Sequence, residues 1–209
     1  MVEHLYELHR FVMNEVRDIN FEFKKVLDIG CGKGFWSFLL TTDAKNGKKA
    51  DYIGIEIDIS ALLIAKKHNV YSNLICADIR FMPFRRCSFD VIIAVEILEH
   101  LTKEDGKNFL KMLDKVSQGR IILTTPNGFL ATPNSSKYHQ HLSGWTIKDL
   151  RSQGLTVRGV GFKMSNQLMS KSGQLALALF YFFTPISYIF PNLGSMLIAI
   201  KQNRNQNNT

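Results

Sequence analysis

A short motif that follows a predicted strand, Glu-Ile-Leu-Glu-His, has side chains that could bind a metal ion. If the chain is helical here, Glu96, Glu99 and His100 are spaced at i, i+3 and i+4 and share one face. Carboxylate oxygens with an imidazole suit Mg²⁺ or Mn²⁺, and Zn²⁺ or Fe²⁺ can also use such a set. A fourth ligand could come from His139 or His141. The alternative is that Glu96 lines a pocket and His100 caps a helix.

A glycine-rich turn supplies a second candidate site. Residues 26–29 predict a buried strand, and Gly30, Gly32 and Gly34 follow at alternating positions before a predicted helix. Such a loop lets the backbone approach a ligand closely. Glu56 lies 22 residues after Gly34 at the end of the next predicted strand, where a carboxylate can accept hydrogen bonds from both ribose hydroxyls. The two features together predict a nucleotide-containing cofactor.

The charge of Asp28 decides between a dinucleotide and S-adenosylmethionine. An unpaired carboxylate at this place would repel a pyrophosphate, whereas it would attract the sulfonium and α-ammonium groups of S-adenosylmethionine. The third glycine also arrives one residue early for Gly-x-Gly-x-x-Gly, and Phe35 occupies that position. The sequence therefore predicts S-adenosylmethionine rather than NAD.

Alternating strand and helix patterns must position these residues. Short apolar runs separated by helical stretches are typical of a parallel sheet covered by helices. Predicted strands cover residues 26–29, 52–56, 73–76, 89–95, 120–124, 156–161 and 196–200. Predicted helices cover residues 4–18, 35–41, 60–68, 103–116 and 146–153, the last with Thr146 as its N-cap and Asp149 at the third helical position. The pattern predicts an α/β fold.

Over about residues 25–125 the chain resembles the class I S-adenosylmethionine-dependent methyltransferases. The likeness rests on the glycine-rich segment 26–34, on Tyr-Ile-Gly-Ile-Glu-Ile-Asp at 52–58, on Ala-Asp-Ile at 77–79 and on the segment 89–101. It implies a doubly wound, Rossmann-like domain with helices on both faces. The seven-stranded sheet of this family is mostly parallel, and its last strand is antiparallel.

The same resemblance implies a set of cofactor contacts. Asp28 and the three glycines would hold the methionine part, and Glu56 the ribose. On the adenine, Ile57 would cover one face and Ile79 the other, while Asp78 would accept a hydrogen bond from the amino group. Glu96 would line the same pocket, and the alternative for Asp78 is a cap of the turn that follows the third strand.

A second resemblance concerns the methyl acceptor. Glu-x-x-Glu-His at 96–100, Thr-Pro-Asn at 125–127 and His141 four residues before Trp145 are together similar to metal-dependent small-RNA 2′-O-methyltransferases. The Glu-x-x-Glu-His part is also similar to ubiquinone-pathway O-methyltransferases. The likeness implies Mg²⁺ or Mn²⁺ on Glu96, Glu99, His100 and His141, where the cation would lower the pKa of the acceptor hydroxyl. Without a metal, His100 or His141 would be the catalytic base.

Several observations limit the acceptor and the cell compartment. The tetrad typical of adenine amino-methylases is absent after the fourth strand, and no cysteine follows a proline as in cytosine C5 methylation, so base methylation is disfavoured. Trp145, Tyr138, Phe129 and Phe162 are candidate walls of the acceptor pocket, with plain core packing as the alternative. Three cysteines without zinc-type spacing, and no visible secretory signal, favour a cytoplasmic protein.

Length and composition indicate one domain. The chain of 209 residues with 45% hydrophobic residues can bury one core but is short for two. We predict a methyltransferase domain over residues 1–200, with a capping helix at 1–20, an apolar insertion at 163–194 and a disordered tail at 201–209. The net charge of +8 favours phosphorylated, nucleic-acid or anionic-membrane partners.

Residues 175–190 are apolar or aromatic at nearly every position. The segment is shorter than the roughly 20 residues of a membrane span and contains a proline, so a transmembrane helix is disfavoured. The open alternatives are a helical insertion over the sheet, a homodimer interface, and a patch for a peripheral membrane contact or a lipid substrate.

These features predict an S-adenosylmethionine-dependent methyltransferase that methylates oxygen in a small-molecule, glycosyl or lipid-linked acceptor. The alternatives are a metal-dependent RNA ribose methyltransferase and a non-catalytic partner subunit that binds S-adenosylmethionine.

Overall fold

The computed structural model describes residues 2–132, 138–163, 182–183 and 185–203, with residues 2–7 described by their backbone. The helices are α1 (Val2–Asn14), α2 (Phe35–Asp43), α3 (Ile59–Lys67), α4 (Lys103–Val116) and α5 (Ile147–Ser152). The strands are β1 (Lys25–Ile29), β2 (Asp51–Glu56), β3 (Tyr71–Cys76), β4 (Phe89–Val95), β5 (Ser117–Pro126), β6 (Thr156–Val160) and β7 (Met196–Gln202). Short 3₁₀ helices cover Ile79–Phe81, Leu98–His100 and Pro191–Leu193.

The seven strands form one sheet in the order β3-β2-β1-β4-β5-β7-β6. Neighbouring strands from β3 through β5 are parallel, while β7 runs antiparallel to both β5 and β6. The predicted mostly parallel sheet with an antiparallel last strand is confirmed. β2 and β4 flank β1 on opposite sides, so the direction in which successive strands are added to the sheet reverses at β1. Ligands of such sheets bind beyond the carboxyl ends of the strands at that point.

Both faces of the sheet are covered, which explains the continuous apolar strands. Ile92 of β4 packs with Phe109 and Leu113 of α4, whereas its neighbour Ile93 packs with the side that holds α1 and α2. Successive strand residues point to opposite faces, so a strand buried on both sides is apolar at each position. The N-terminal helix buries Leu8 and Val12 against this second face.

Two predicted boundaries need correction, and one segment falls largely outside the described residues. The prediction of a disordered tail from residue 201 is wrong for its first residues, because Lys201 and Gln202 still pair with β5; residues 204–209 lie outside the described residues. The N-terminal helix ends at Asn14 rather than continuing to residue 18. Most of the predicted insertion, residues 164–181 and 184, lies outside the described residues. Within the described ranges, no helix combines the length and apolarity needed to cross a membrane.

Candidate active site

The glycine-rich loop between β1 and α2 has a backbone that favours glycine. Gly30, Gly32 and Gly34 have φ angles of +63°, +51° and +88°, a region in which side chains are strained. A Cβ atom on Gly30 would also lie 2.0 Å from Cδ1 of Ile97, in the segment after β4. The loop of β1 therefore packs directly on the start of the predicted acceptor motif.

Asp28 lies beneath this loop with 2% of its surface exposed. Its Oδ2 atom accepts hydrogen bonds from the hydroxyls of Ser37 and Tyr71, each at 2.7 Å. Burial raises the pKa of Asp28, and these two hydrogen bonds lower it in part. The expectation of an unpaired carboxylate was wrong, since Asp28 ties β1 to α2 and β3. Its contact with the cofactor stays a prediction.

Glu56, at the end of β2, closes the loop from the other side. Oε2 accepts a hydrogen bond from the backbone N–H of Gly32 at 3.0 Å, and Oε1 accepts from the N–H groups of Ile57 and Asp58 at 2.7 and 3.0 Å. The carboxylate is therefore fixed at the carboxyl edge of the sheet, beside the glycines. This position is consistent with the predicted ribose contact, which no observation tests.

Asp78 caps the 3₁₀ helix that follows β3, as the alternative reading expected. Its side chain accepts a hydrogen bond from the backbone N–H of Arg80 at 2.9 Å and pairs with the Arg80 guanidinium at 2.5 Å. The side-chain hydrogen bond from Arg80 is the main cause that lowers the pKa of Asp78. The adenine contacts predicted for Asp78 and Ile79 stay predictions.

The segment after β4 is not the regular helix that the spacing suggested. Glu96 has a φ angle of +55°, and its N–H donates to the carbonyl oxygen and the Oγ1 atom of Thr124 at 3.3 and 3.1 Å. The Thr124 hydroxyl in turn donates to Oε1 of Glu96 at 2.8 Å. Thr124 thus holds Glu96 in this left-handed backbone, and the 3₁₀ helix starts after it, at Leu98.

Glu99, His100 and His141 nevertheless come together, with one potential ligand atom of each within 4.8 Å of the others. Among the described residues Glu96 is not a member of this group. Nδ1 of His100 lies 3.1 Å from the Gln140 carbonyl oxygen. Nδ1 of His141 lies 2.7 Å from the Leu130 carbonyl oxygen.

The two carbonyl contacts fix the tautomers of the histidines. A carbonyl oxygen only accepts hydrogen bonds, so Nδ1 carries the proton in His100 and His141, and Nε2 carries the lone pair. Metal-binding histidines are usually oriented in this way by a hydrogen bond to the other ring nitrogen. Burial lowers the pKa of His100, which favours the neutral imidazole that a ligand or a base requires.

The carboxylate of Glu99 is 1% exposed, and among the described residues no hydrogen bond of ordinary geometry reaches either oxygen, although Thr125 and Glu96 lie nearby. Burial, followed by the charge of nearby Glu96, raises the pKa of Glu99 well above its usual range. Buried carboxylates usually have hydrogen-bond partners or bind metal ions. A divalent cation would stabilise the charged form of this carboxylate, so the residues fit the metal that the resemblance implies.

Backbone contacts with the Glu99 region place His141. The N–H groups of Leu142 and Ser143 donate to the Glu99 carbonyl oxygen at 2.8 and 3.1 Å, and the His141 N–H donates to Oγ1 of Thr132 at 2.9 Å. The role of Thr132 and Ser143 was not predicted, because neither their residue types nor their spacing in the sequence indicates a functional position.

Trp145 belongs to the core rather than to an acceptor pocket. The residue is buried, and its Nε1 donates to Oγ of Ser143 at 2.9 Å. The ammonium group of Lys103 lies 3.8 Å from the ring centroid and donates to the Gly144 carbonyl oxygen. Lys103 and Trp145 therefore fasten the segment that carries His141 to the start of α4.

Comparison with known proteins identifies the family. A family model described as a methyltransferase domain matches residues 26–118, which include the glycine loop, Glu56, Asp78 and the acidic motif. Residues 26–118, somewhat less than half of the chain, are thus similar to this methyltransferase family. The match confirms the predicted resemblance over these residues, and S-adenosylmethionine is the cofactor that such a domain implies.

Two curated relatives show how far the sequence similarity extends. An uncharacterized protein of Methanocaldococcus jannaschii is 33% identical over 115 residues, covering 51% of this chain and 44% of that protein. A ubiquinone biosynthesis O-methyltransferase of Glaesserella parasuis is 30% identical over 122 residues, covering 48% of this chain and 50% of that enzyme. The chain spans about half the length of the curated relatives it matches.

The fold similarity covers nearly the whole chain. The crystal structure of the small RNA methyltransferase HEN1 matches with a TM-score of 0.64 at 18% identity, covering 96% of this chain and 25% of that one. At this identity the match shows a shared fold. The shared fold therefore extends beyond residues 26–118.

Proposed function

We propose that this methyltransferase uses S-adenosylmethionine to methylate a hydroxyl oxygen of a small-molecule, glycosyl or lipid-linked acceptor. The observation that carries the proposal is the group of Glu99, His100 and His141, which lies next to the glycine loop through the contact of Gly30 with Ile97. The name of the ubiquinone biosynthesis relative supports oxygen as the methylated atom.

The cofactor, when bound, supplies a methyl group on a positively charged sulfur. The protein has to hold the cofactor and align the acceptor oxygen in line with the methyl–sulfur bond while water is excluded. In our proposal the left-handed glycines let the backbone approach the methionine part, and Glu56 holds the ribose. Ile57 and Ile79 cover the two adenine faces, and Asp78 accepts from the adenine amino group. Asp28 keeps the loop in place from below.

On the acceptor side, Glu99 and the Nε2 atoms of His100 and His141 would hold Mg²⁺ or Mn²⁺, while Glu96, predicted as a further ligand, lies outside this group and is bonded to Thr124. A cation at this place would lower the pKa of an acceptor hydroxyl, so that the oxygen attacks the methyl group as an alkoxide or phenolate. In the absence of a metal, the neutral imidazole of His100 or His141 could itself accept the hydroxyl proton.

The test is a calorimetric titration of Mn²⁺ into protein saturated with S-adenosylhomocysteine. We expect micromolar binding in the wild type and a loss of at least about 100-fold in affinity in both Glu99→Ala and His141→Ala, because each removes a direct ligand. Glu104→Ala, which removes an exposed carboxylate from the first turn of α4, is the matched control and should bind Mn²⁺ like the wild type.

The outcomes separate the possible activities. Mn²⁺ binding with the expected variant pattern directs the acceptor search to vicinal diols and catechols. No Mn²⁺ binding, with methylation of a hydroxyl acceptor that His141→Ala abolishes, would support a histidine base. Tight S-adenosylhomocysteine binding with no methyl transfer to any acceptor class would contradict the proposal and indicate a partner subunit.

A second candidate function, ribose 2′-O-methylation of RNA, is favoured by the same three residues. A vicinal diol is the acceptor to which a cation on Glu99, His100 and His141 could bind, and the 3′-terminal ribose of RNA is such a diol. An RNA with a normal 3′ end and one with a 3′-deoxy end would be compared as acceptors. Methylation of the first and not of the second would establish this function.

A further inference from the structure

A short helix at residues 185–189, between β6 and β7, turns its apolar side chains toward solvent, unlike a helix packed on a core. Its hydroxyl groups face the protein, since Ser187 is fully buried and the Tyr188 hydroxyl is hydrogen-bonded to Glu15, beyond the end of α1. Its apolar side chains face solvent, with Ile189 72% exposed and the following Phe190 60% exposed. A helix that packs on a core buries its apolar side instead.

The helix is held in this orientation by contacts from three parts of the chain. The Arg158 guanidinium of β6 lies 4.7 Å from the centroid of the Tyr188 ring and pairs with Glu15 at 3.3 Å. After the helix, the side-chain amide of Asn127 donates to the carbonyl oxygens of Pro191 and Gly194 at 3.2 and 2.7 Å. The outward apolar side is therefore part of the folded structure.

Further apolar side chains extend this exposed surface. We use "apolar face" for Phe182, Ile186, Ile189, Phe190 and Leu193, which are all exposed. Transfer of a side chain of this size from water to an apolar environment is favourable by roughly 1.5–3 kcal/mol when the whole side chain is buried. Clustered exposure of this kind marks an interaction surface.

The charge of the surrounding chain favours a negatively charged partner. Asp149 is the last acidic residue of the sequence, and the 60 residues after it contain six basic residues: Arg151, Arg158, Lys163, Lys171, Lys201 and Arg204. Basic residues next to apolar ones are attracted to anionic lipid surfaces. A second copy of the chain would bring the same positive charge to the apolar face, so electrostatics disfavours a dimer there.

One end of the apolar face, at Leu193, lies near the sheet edge that carries the candidate active site, while the helix itself contacts α1 through Tyr188. The Lys163 N–H donates to the Leu193 carbonyl oxygen at 2.8 Å, and the Lys163 ammonium donates to the Asn127 carbonyl oxygen at 3.1 Å. Asn127 follows the carboxyl end of β5, and β5 carries the Thr124 that holds Glu96. A surface that meets the apolar face would therefore approach this edge of the sheet.

We propose that the apolar face docks the protein onto an anionic lipid bilayer as a peripheral contact. Ile189, Phe190 and Phe182 enter the interface, and Lys163, whose N–H is bonded to Leu193, supplies positive charge beside it for the lipid head groups. It follows, resting on the proposed function, that the acceptor hydroxyl belongs to a lipid-linked molecule presented at the membrane surface.

Vesicle co-flotation tests this docking without cofactor or acceptor, so its failure is distinct from a failure of methyl transfer. We expect binding to vesicles of phosphatidylcholine with phosphatidylglycerol, weaker binding to phosphatidylcholine alone, and weakening by salt. The double variant Ile189→Ser, Phe190→Ser should bind at least about tenfold more weakly. The control Phe23→Ser, Leu63→Ser removes apolar side chains that are equally exposed elsewhere and should bind like the wild type.

The other outcomes would overturn the proposal. Absence of vesicle binding in a wild type with a normal cooperative thermal transition would do so, and so would equal loss in both double variants. A concentration-dependent dimer in sedimentation, abolished by Ile189→Ser, Phe190→Ser, would assign the apolar face to a second copy. Thermal unfolding of each variant confirms that a loss of binding does not come from a loss of fold.

Discussion

Asp28 and Glu99 are both buried carboxylates at the candidate site, and the protein surrounds them differently. Asp28 accepts two hydroxyl hydrogen bonds, whereas among the described residues the oxygens of Glu99 have no such partner. Asp28 is thus stabilised by two hydroxyl groups of the chain, while the described residues give the Glu99 oxygens no hydrogen bond of ordinary geometry. The difference shows that hydrogen bonds of the chain hold the glycine loop in place, and it supports the proposal of a cation at Glu99.

The largest expected effect is on stability at the cofactor side. Asp28→Ala leaves the Ser37 and Tyr71 hydroxyls without their acceptor, and we expect it to lower the free energy of unfolding by about 3 kcal/mol. Urea denaturation followed by circular dichroism measures the change. Asp43→Ala, at an exposed position at the end of α2, is the control. A loss below about 1 kcal/mol would mean that Asp28 is not the anchor of the loop.

At Glu99, removal of the carboxylate should raise the free energy of unfolding rather than lower it. Glu99→Met replaces a buried carboxylate that the described residues leave without an ordinary hydrogen bond by an apolar side chain of similar volume, which should raise the free energy of unfolding of metal-free protein by about 1–2 kcal/mol. Mn²⁺ should raise the melting temperature of the wild type and not that of the variant. If Glu99→Met instead lowered the free energy of unfolding, Glu99 would behave like Asp28, and the distinction between the two carboxylates would be wrong.

Removal of one hydroxyl group tests whether Tyr71 stabilises the protein through Asp28. Tyr71→Phe removes one of the two donors to Asp28, and we expect a cost of about 1 kcal/mol in the free energy of unfolding. Combined with Asp28→Ala, the same change should cost much less, because the acceptor is already missing. Additive effects in this double-mutant cycle would show that the hydroxyl acts elsewhere.

The smallest effect concerns Asp149, a more accessible carboxylate in a capping box with Thr146. Burial raises its pKa, but the hydrogen bonds from Lys103 and Thr146 outweigh this, so the pKa of Asp149 is lowered. Its contribution to stability is therefore present above the unfolded pKa of about 3.9 and is lost as the pH falls through the lower folded value. Asp149→Asn should reduce the acid sensitivity of unfolding below pH 4, and an unchanged pH profile would contradict this assignment.

Local signals explain the accurate part of the sequence-based description. The bounds of β4 and α4 were predicted as they occur, because a fully buried parallel strand is apolar throughout and an amphipathic helix repeats its pattern. The Thr146–Asp149 cap was predicted from the same kind of neighbour relation. The seven-stranded topology, by contrast, came from the family resemblance.

What the sequence determined by itself is the set of chemical groups: the glycines that permit a left-handed loop, the carboxylates at strand ends, and the Glu-x-x-Glu-His motif. The folded structure sets the hydrogen bonding, the tautomers and the burial of these groups. Tyr71, which is 43 positions away in the chain, makes Asp28 a paired carboxylate. The carbonyl oxygens of Gln140 and Leu130 fix the tautomers of His100 and His141, and burial leaves Glu99 without a partner among the described residues. Hydrogen bonding and desolvation depend on groups that only folding brings close, so residue type and spacing do not reveal them.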